Sequence, residues 1–504
     1  MSYYAVCAAI TVFLLLRLRS RRIRLPLPPG PKKLPFIGNL LDMPSTFQWE
    51  TYMKWSQLYD SDIIHLNVAG SSIIVLSSLD AATELLEKRS NIYSDRSRMP
   101  MVKELMGWDW NIALMRRARR QFHRDFNIQA VRKYDPKLQA AAHGLLRRLL
   151  RDPENVIHHF RHMAGEAIMS AAYGITVLPE NDPYIKLAED ALTTLFYAVI
   201  PGQFLVDSVP ALMHLPNWFP GAGFKRIAKE WRQLSKAMVE SPFAETKRKM
   251  AEGNATPSFV STLLRDIEDS EDKHEEGQAV KEAAGAMYIG GADTTVSALA
   301  SFVLAMLSNP EAQKKAQMEI DSVVGNGRLP DFTDAEESLP YLSALVKEVL
   351  RWRSVTPLGV PHFVSVEDEY RGYRIPANSL VISNLWAIHH DETLYPDPYE
   401  FKPERWLSES VGSMGTAEAA FGFGRRICPG RHFATSSVWI TIACVLATLN
   451  ITKAVDEDGT VIEPTHEYRS AMVIEPLPFK CSIKPRSEAA ARLIQETVHG
   501  AENL

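Results

Sequence analysis

The chain has 504 residues, 46% of them hydrophobic, so it can bury a large core, either in two or three domains or in one large helical one. Lys plus Arg number 56 against 60 Asp plus Glu, a net charge of -4, which excludes a global basic field of the kind that gathers nucleic acid. Cys7, Cys428, Cys444 and Cys481 are widely scattered with no Cys-x-x-Cys pair, which argues against a disulfide framework and a four-sulfur zinc site and favours reduced thiols facing the cytosol.

The first stretch, Tyr3–Leu16, is uncharged and almost wholly apolar, and Arg17, Arg19, Arg21, Arg22 and Arg24 follow at once. It is shorter than the ~20 residues that a bilayer crossing asks for, but flanking arginines snorkel and bilayers thin locally. With the positive charge after the apolar run, the positive-inside rule puts the rest of the chain in the cytosol. Residues 1–24 therefore read as a membrane anchor with its basic flank. Five prolines between Leu25 and Pro35 stiffen a hinge, and a main body spans residues 36–486.

In that body, Ile63–Val68 and Ser71–Leu76 flank Ala69-Gly70 as a β-hairpin, and Asp80 is the expected cap of a helix through Leu86. From about Arg116 to Ile451 the apolar spacing is mostly helical, with helices predicted over Pro136–Arg151, Val156–Tyr173, Tyr184–Val199 and Phe224–Met250. The fold class is thus mainly α with small β-sheets. Ile200–Gly223, rich in Pro, Trp and Phe, reads equally as an exposed apolar lid or second membrane contact and as a loop buried in the core. Asp269–Gly277 is expected to be a solvated loop before a long helix over Lys281–Leu307, about 40 Å at 1.5 Å per residue. Residues 487–504 form a polar, amphipathic tail.

Four patterns carry chemistry. Gly290-Gly291-Ala292-Asp293-Thr294-Thr295 is a flaw in the long helix: adjacent glycines weaken it by roughly 1 kcal/mol each, and an acid beside an alcohol suits a proton relay. Close helix packing explains the glycines equally well. Glu348 and Arg351 share a helix face at i and i+3 and can pair. Arg405, in Pro403-Glu404-Arg405-Trp406, is placed to join them in a buried charge network, where a planar guanidinium bonds bidentately. Last comes Phe421-Gly422-Phe423-Gly424-Arg425-Arg426-Ile427-Cys428-Pro429-Gly430, which sets one cysteine in a tight, cationic loop at the start of an apolar helix. Glycines allow close backbone approach, and the helix N-terminus and arginines favour a thiolate. By residue chemistry alone Cys428 is a nucleophile or a metal ligand. His158-His159 and His389-His390 lack metal-ligand spacing, and Cys444 reads as a small buried hydrophobe.

Taken in order, these patterns resemble the cytochrome P450 superfamily of haem-thiolate monooxygenases, specifically its fungal, endoplasmic-reticulum-anchored branch. The resemblance implies an α-rich triangular prism and haem b ligated through iron by the Cys428 thiolate. It implies that Arg119, Arg426, Phe421 and His362 hold the cofactor, that Asp293 and Thr294 manage protons, and that Glu348, Arg351 and Arg405 brace the cysteine loop. It further implies O2 as co-substrate, a lipophilic small-molecule substrate drawn from secondary metabolites or xenobiotics, membrane lipid around the anchor, and no nucleic acid. Electrons must come from a partner, because no Gly-x-Gly-x-x-Gly cofactor loop is present. That partner is NADPH-cytochrome P450 reductase, with Arg116, Arg117 and Arg120 on the expected docking face. Segments 95–115, 196–219, 283–292, 356–362 and 468–473 are the implied pocket walls. One departure is Met115, which stands where the family commonly carries the Trp of a Trp-x-x-x-Arg pattern ending at Arg119, after a segment from Asn111 that looks short. The alternatives are a haem-binding variant with impaired catalysis and an O2-independent haem-thiolate isomerase or dehydratase.

Overall fold

Residues 25–111, 119–200, 202–334, 338–407 and 417–498 are described by a computed structural model, with backbone alone for 119–121, 123 and 208. Helix α1 (Gln48–Leu58) leads into strands β1 (Ile63–Val68) and β2 (Ser71–Leu76), which pair antiparallel from Ile63 opposite Leu76 to Val68 opposite Ser71. Both turn residues have positive φ, 48° at Ala69 and 92° at Gly70. That is the turn geometry whose twist matches the flanking strands. Strands β3 (His362–Val364), β4 (Asp368–Tyr370), β5 (Tyr373–Ile375) and β6 (Ser379–Ser383) follow much later in the chain. β6 runs parallel to β2 and antiparallel to β3, giving a four-stranded sheet in the order β1-β2-β6-β3, while β4 and β5 pair by themselves.

The helix expected to be capped by Asp80 is capped by Ser78, whose side chain accepts from the Ala81 amide. Asp80 sits in the first turn, where an acid suits the helix dipole. After Ala82 the helix widens to a π-turn over Thr83–Lys88.

The helical body contains α2 (Asp135–Arg151), α3 (Val156–Ile168), α4 (Pro183–Ala198), α5 (Gly223–Ala251), α6 (Lys273–Ser308), α7 (Pro310–Val323), α8 (Pro340–Trp352) and α9 (Arg431–Thr448). β7 (Leu449–Lys453), β8 (Tyr468–Arg469), β9 (Glu475–Pro476) and β10 (Cys481–Pro485) close two small sheets beside them, and α10 (Glu488–Glu496) ends the described chain. Ser487 caps α10, and Ile494 buries it against α2 and α9. Thus part of the amphipathic tail belongs to the body.

α6 has 36 residues, about 54 Å of helix, and starts well before the expected Lys281. Glu275 and Glu276 fill its first turn, so part of the acidic run read as a loop is a helix start stabilised by the dipole. Its apolar window is 72% buried, which makes it a core helix although it is long enough to cross a bilayer. α3 packs along it. The connection between α4 and α5 is split: Trp218 is 80% exposed and Leu205 68%, whereas Val206 is buried in the core and Phe204, Leu212 and Met213 pack against it.

Candidate functional site

The cysteine loop is shaped by its glycines. Gly422 and Gly424 have φ of 81° and 55°, and the Cys428 amide folds back to donate to the Phe421 carbonyl at 2.8 Å. A Cβ on Gly424 would lie 2.2 Å from the Leu86 carbonyl oxygen and 2.9 Å from the Glu87 Cα, so only glycine lets the loop press on the π-turn. Cys428 is half-buried just ahead of α9, where the helix dipole favours an anionic sulfur.

One strap of chain ties the neighbouring residues together. Arg426 Nε donates to the Ser94 carbonyl at 2.7 Å, His362 Nδ1 bonds the Tyr93 carbonyl at 2.8 Å, and the Phe363 amide donates to Asp95. Arg96 reaches the Val360 and Pro361 carbonyls at 2.5 and 2.6 Å. Cations crowd here: burial lowers the pKa of Lys103, and the charges of Arg426 and Arg96 lower it further. An anionic group between them would relieve that repulsion.

Behind the loop stands a buried charge network. Arg351 donates to Glu348 through Nη2 at 2.7 Å and Nε at 2.8 Å, with both side chains fully buried. Arg405 Nε, the Trp406 indole N–H and the Lys402 amide reach the same carboxylate at 3.1, 2.9 and 2.9 Å. The guanidinium groups also bind carbonyls: Arg351 those of His389 and Pro398, each at 2.8 Å, and Arg405 that of Pro396 at 2.9 Å. Burial and the Arg351 charge push His389 down to about 3, so its ring stays neutral against Ser354, 2.7 Å away. The network clamps α8 to residues 396–406, the irregular run upstream of the cysteine loop.

α6 is exposed at one point in its buried middle. Gly290 is open to solvent, and a Cβ there would meet nothing within 4 Å; a Cβ on Gly291 would strike Ile168 at 2.3 Å. The two glycines thus serve different ends, an open face and tight packing on α3. The Thr294 hydroxyl donates to the Gly290 carbonyl at 2.5 Å, and the helix runs on without a break. Burial pushes Asp293 up to about 6; Arg161, its Nε 3.9 Å from Oδ1, opposes this, and Glu475 and Glu189 add to it.

The structure therefore gathers Phe421, Arg426 and Cys428 in one loop, joins Arg426 to His362 through the 93–96 strap, and unites Glu348, Arg351 and Arg405. Asp293 and Thr294 stand together on α6. The Arg119 backbone begins a short helix, Arg119–Phe126. Met115, Arg116, Arg117, Cys7 and residues 1–24 lie outside the described residues, as do the side chains of Arg119 and Arg120. Sequence reading passed over the Trp406 and Lys402 contacts, the Ser94 carbonyl and the Arg161–Glu475 pair. Only Trp406, inside the Arg405 motif, offered a signal.

The family model described as Cytochrome P450 matches residues 28–482. The chain belongs to this family. As a cytochrome P450 it is 46% identical over 97% of its length to "Cytochrome P450 monooxygenase 98" of Postia placenta, covering 95% of that protein. It is likewise 46% identical to "Cytochrome P450 monooxygenase ple1" of Rhodocybe pseudopiperita, over 93% of this chain and 91% of the relative. "Tryptamine 4-monooxygenase" of Psilocybe cyanescens is 41% identical over 93% of this chain and 94% of its own. A solved zebra fish cytochrome P450, in a structure with abiraterone, shares the fold at a TM-score of 0.70 and 21% identity, over 87% of this chain and all of that one. The protein is an oxidoreductase of the monooxygenase class, and the family's cofactor is haem held by a cysteine thiolate. The residues present fit such a group: a half-buried cysteine at a helix start, a cationic strap for carboxylates, and an open glycine face on an otherwise buried helix.

Proposed function

We propose that this cytochrome P450 holds haem b through the Cys428 thiolate and uses O2, with electrons passed from NADPH by NADPH-cytochrome P450 reductase, to oxidise a lipophilic small molecule. The observation that carries it is the Gly424-wedged loop that presents Cys428 ahead of α9. Haem bound to a thiolate supplies O2 activation, the sulfur pushing electron density towards O–O cleavage. The chain's own residues do the rest. Arg426, His362 and Arg119 would hold the cofactor's carboxylates, and Phe421, whose carbonyl accepts from the Cys428 amide, would help to seat it at the cysteine loop. The Glu348–Arg351–Arg405 network keeps the loop in place, which fixes the position of the sulfur. Asp293 donates protons, and Thr294, one residue on, orients the water that carries them.

The names of the fungal relatives, which include a tryptamine 4-monooxygenase, support a substrate among secondary metabolites, with xenobiotics a compatible class. Residues 1–24 serve as the single-pass anchor in the endoplasmic reticulum membrane, 25–35 as the hinge, and 36–486 as the cytosolic catalytic domain, onto which α10 of the tail packs. Turnover with reductase, NADPH and labelled O2 across a panel of lipophilic aromatics and terpenoids tests the reaction class. One labelled oxygen atom in the product is expected; conversion that needs neither O2 nor NADPH would instead establish the isomerase or dehydratase reading.

A further inference from the structure

A polar seam lies beside Asp293 on the flank of α6. α3 presents Arg161, α4 presents Glu189, α6 presents Tyr288 and Asp293 itself, and β9 presents Glu475. These are the titratable and charged groups that face Asp293 among the described residues. Between α3, α4 and α6 is a cleft of about 10 Å³, lined by Arg161, Gly165, Glu189, Tyr288 and Asp293 among others. A single water needs roughly 10–15 Å³ on this measure. The Tyr288 hydroxyl is committed to the Tyr184 carbonyl at 2.7 Å, which leaves the carboxylates and Arg161 as the groups that deal with such a water.

Arg161 is shared unequally. Its Nη2 donates to both carboxylate oxygens of Glu475, at 2.8 and 2.9 Å, whereas its Nε stays 3.9 Å from Asp293 Oδ1. At that distance Asp293 feels the charge without receiving a hydrogen bond, so its oxygens remain open to water in the cleft. One guanidinium among three carboxylates also leaves the cluster short of positive charge, a condition that favours a retained proton.

We propose that Arg161 is a positioning residue for proton entry: the α3–α4–α6 cleft, with Glu189 on its wall, admits protons to Asp293, and Arg161, held off Asp293 by Glu475, keeps that carboxyl oriented with a loosely held proton. The inference rests on the reading of Asp293 as the donor in O2 reduction. Each turnover takes up two electrons and two protons as O2 gives one oxygen atom to substrate and one to water. Every proton that Asp293 gives inward is regained from cleft water, whose supply is bulk solvent. Charge balance across the cluster is therefore unchanged over a cycle.

The test uses the holoenzyme and Arg161→Gln, Arg161→Lys, Glu475→Gln and Asp293→Asn. Difference infrared spectroscopy follows the Asp293 carboxyl stretch, assigned by its loss in Asp293→Asn, against pH without turnover. Arg161→Gln should raise the midpoint by about one pH unit or more, since an opposite charge at this range lowers a carboxyl by about 1–3 units. Glu475→Gln should lower the midpoint, and Arg161→Lys should restore most of the parent value. In turnover with reductase, Arg161→Gln should enlarge the solvent isotope effect and divert electrons from product, lowering kcat with KM unchanged.

Midpoints unchanged in both Arg161→Gln and Glu475→Gln, or moved the same way in both, would overturn the inference. If Asp293→Asn keeps the parent isotope effect and coupling, the donor reading fails and takes this inference with it. If Asp293→Asn loses coupling while Arg161→Gln matches the parent in both readouts, only the role of Arg161 falls. A parent-like carbonyl spectrum in each variant establishes that it is folded and loaded.

Discussion

Replacing Glu348 by Gln is nearly isosteric, and it should still be among the most damaging changes outside the cofactor site. Oε1 accepts from Arg351 Nη2, Arg405 Nε and the Lys402 amide, and Oε2 from Arg351 Nε and the Trp406 indole. An amide nitrogen placed at Oε1 faces three donors; turned to Oε2 it faces two. In either orientation donors confront donors, and two buried guanidinium groups lose a carboxylate that paired with both. Removing one partner of a buried ion pair costs about 3–5 kcal/mol, a large share of the roughly 5–15 kcal/mol that holds a protein folded. Glu348→Ala should cost at least as much. The control is Glu404, whose pair with Lys315 is about half exposed on both sides; Glu404→Ala should cost under about 1 kcal/mol. Urea unfolding followed by tryptophan fluorescence, with haem retention read by absorbance in the same titration, measures both. A Glu348→Gln midpoint equivalent to less than about 1 kcal/mol, with haem retained as in the parent, would refute the view that this carboxylate holds the loop support together.

Gly291→Ala should destabilise by about 1–3 kcal/mol through its clash with Ile168, and Ile168→Val should recover part of that loss in the same thermal unfolding assay. Gly290→Ala meets nothing, so it should raise thermal stability by up to about 1 kcal/mol through helix propensity while it lowers haem affinity by intruding on the open face. Asp207 offers a pH test. Its carboxyl accepts from the Met101 amide at 2.8 Å, joining the α4–α5 connection to the segment 101–105, and burial pushes it up to about 6. Once that seam opens, the group returns to the ordinary range near 4. The closed seam thus binds more protons, is firmest below about pH 4, and loses stability as pH rises to about 6. Exchange of the Met101 amide, corrected for its intrinsic rate, should accelerate across that window and flatten in Asp207→Asn.

Local chemistry was the legible part of the fold. The hairpin agrees strand for strand because Ala69-Gly70 selects one tight turn, and the helix ends at Arg151 and near Ala198 follow apolar periodicity. What misled was charge in isolation: Glu275 and Glu276 look solvated in a sequence, yet acids also begin helices. Ser78 outranked Asp80 as cap because the helix starts two residues earlier than the apolar pattern suggests. The π-turn at Thr83–Lys88 leaves no periodic trace. At the site, residue types at fixed spacing exposed Cys428, Glu348 and Arg351, and the Arg161–Glu475 pair stayed hidden because its partners lie 314 positions apart. The double duty of Gly290 and Gly291 needed the neighbouring helix to be seen.

The central claim is that Cys428 is the axial thiolate. The reduced carbonyl spectrum of the full chain tests it most directly. The parent should show the band of thiolate-ligated haem, and Cys428→Ser should lose that band while the protein stays folded by circular dichroism. A parent without the band, or a Cys428→Ser protein that keeps it, would contradict the account.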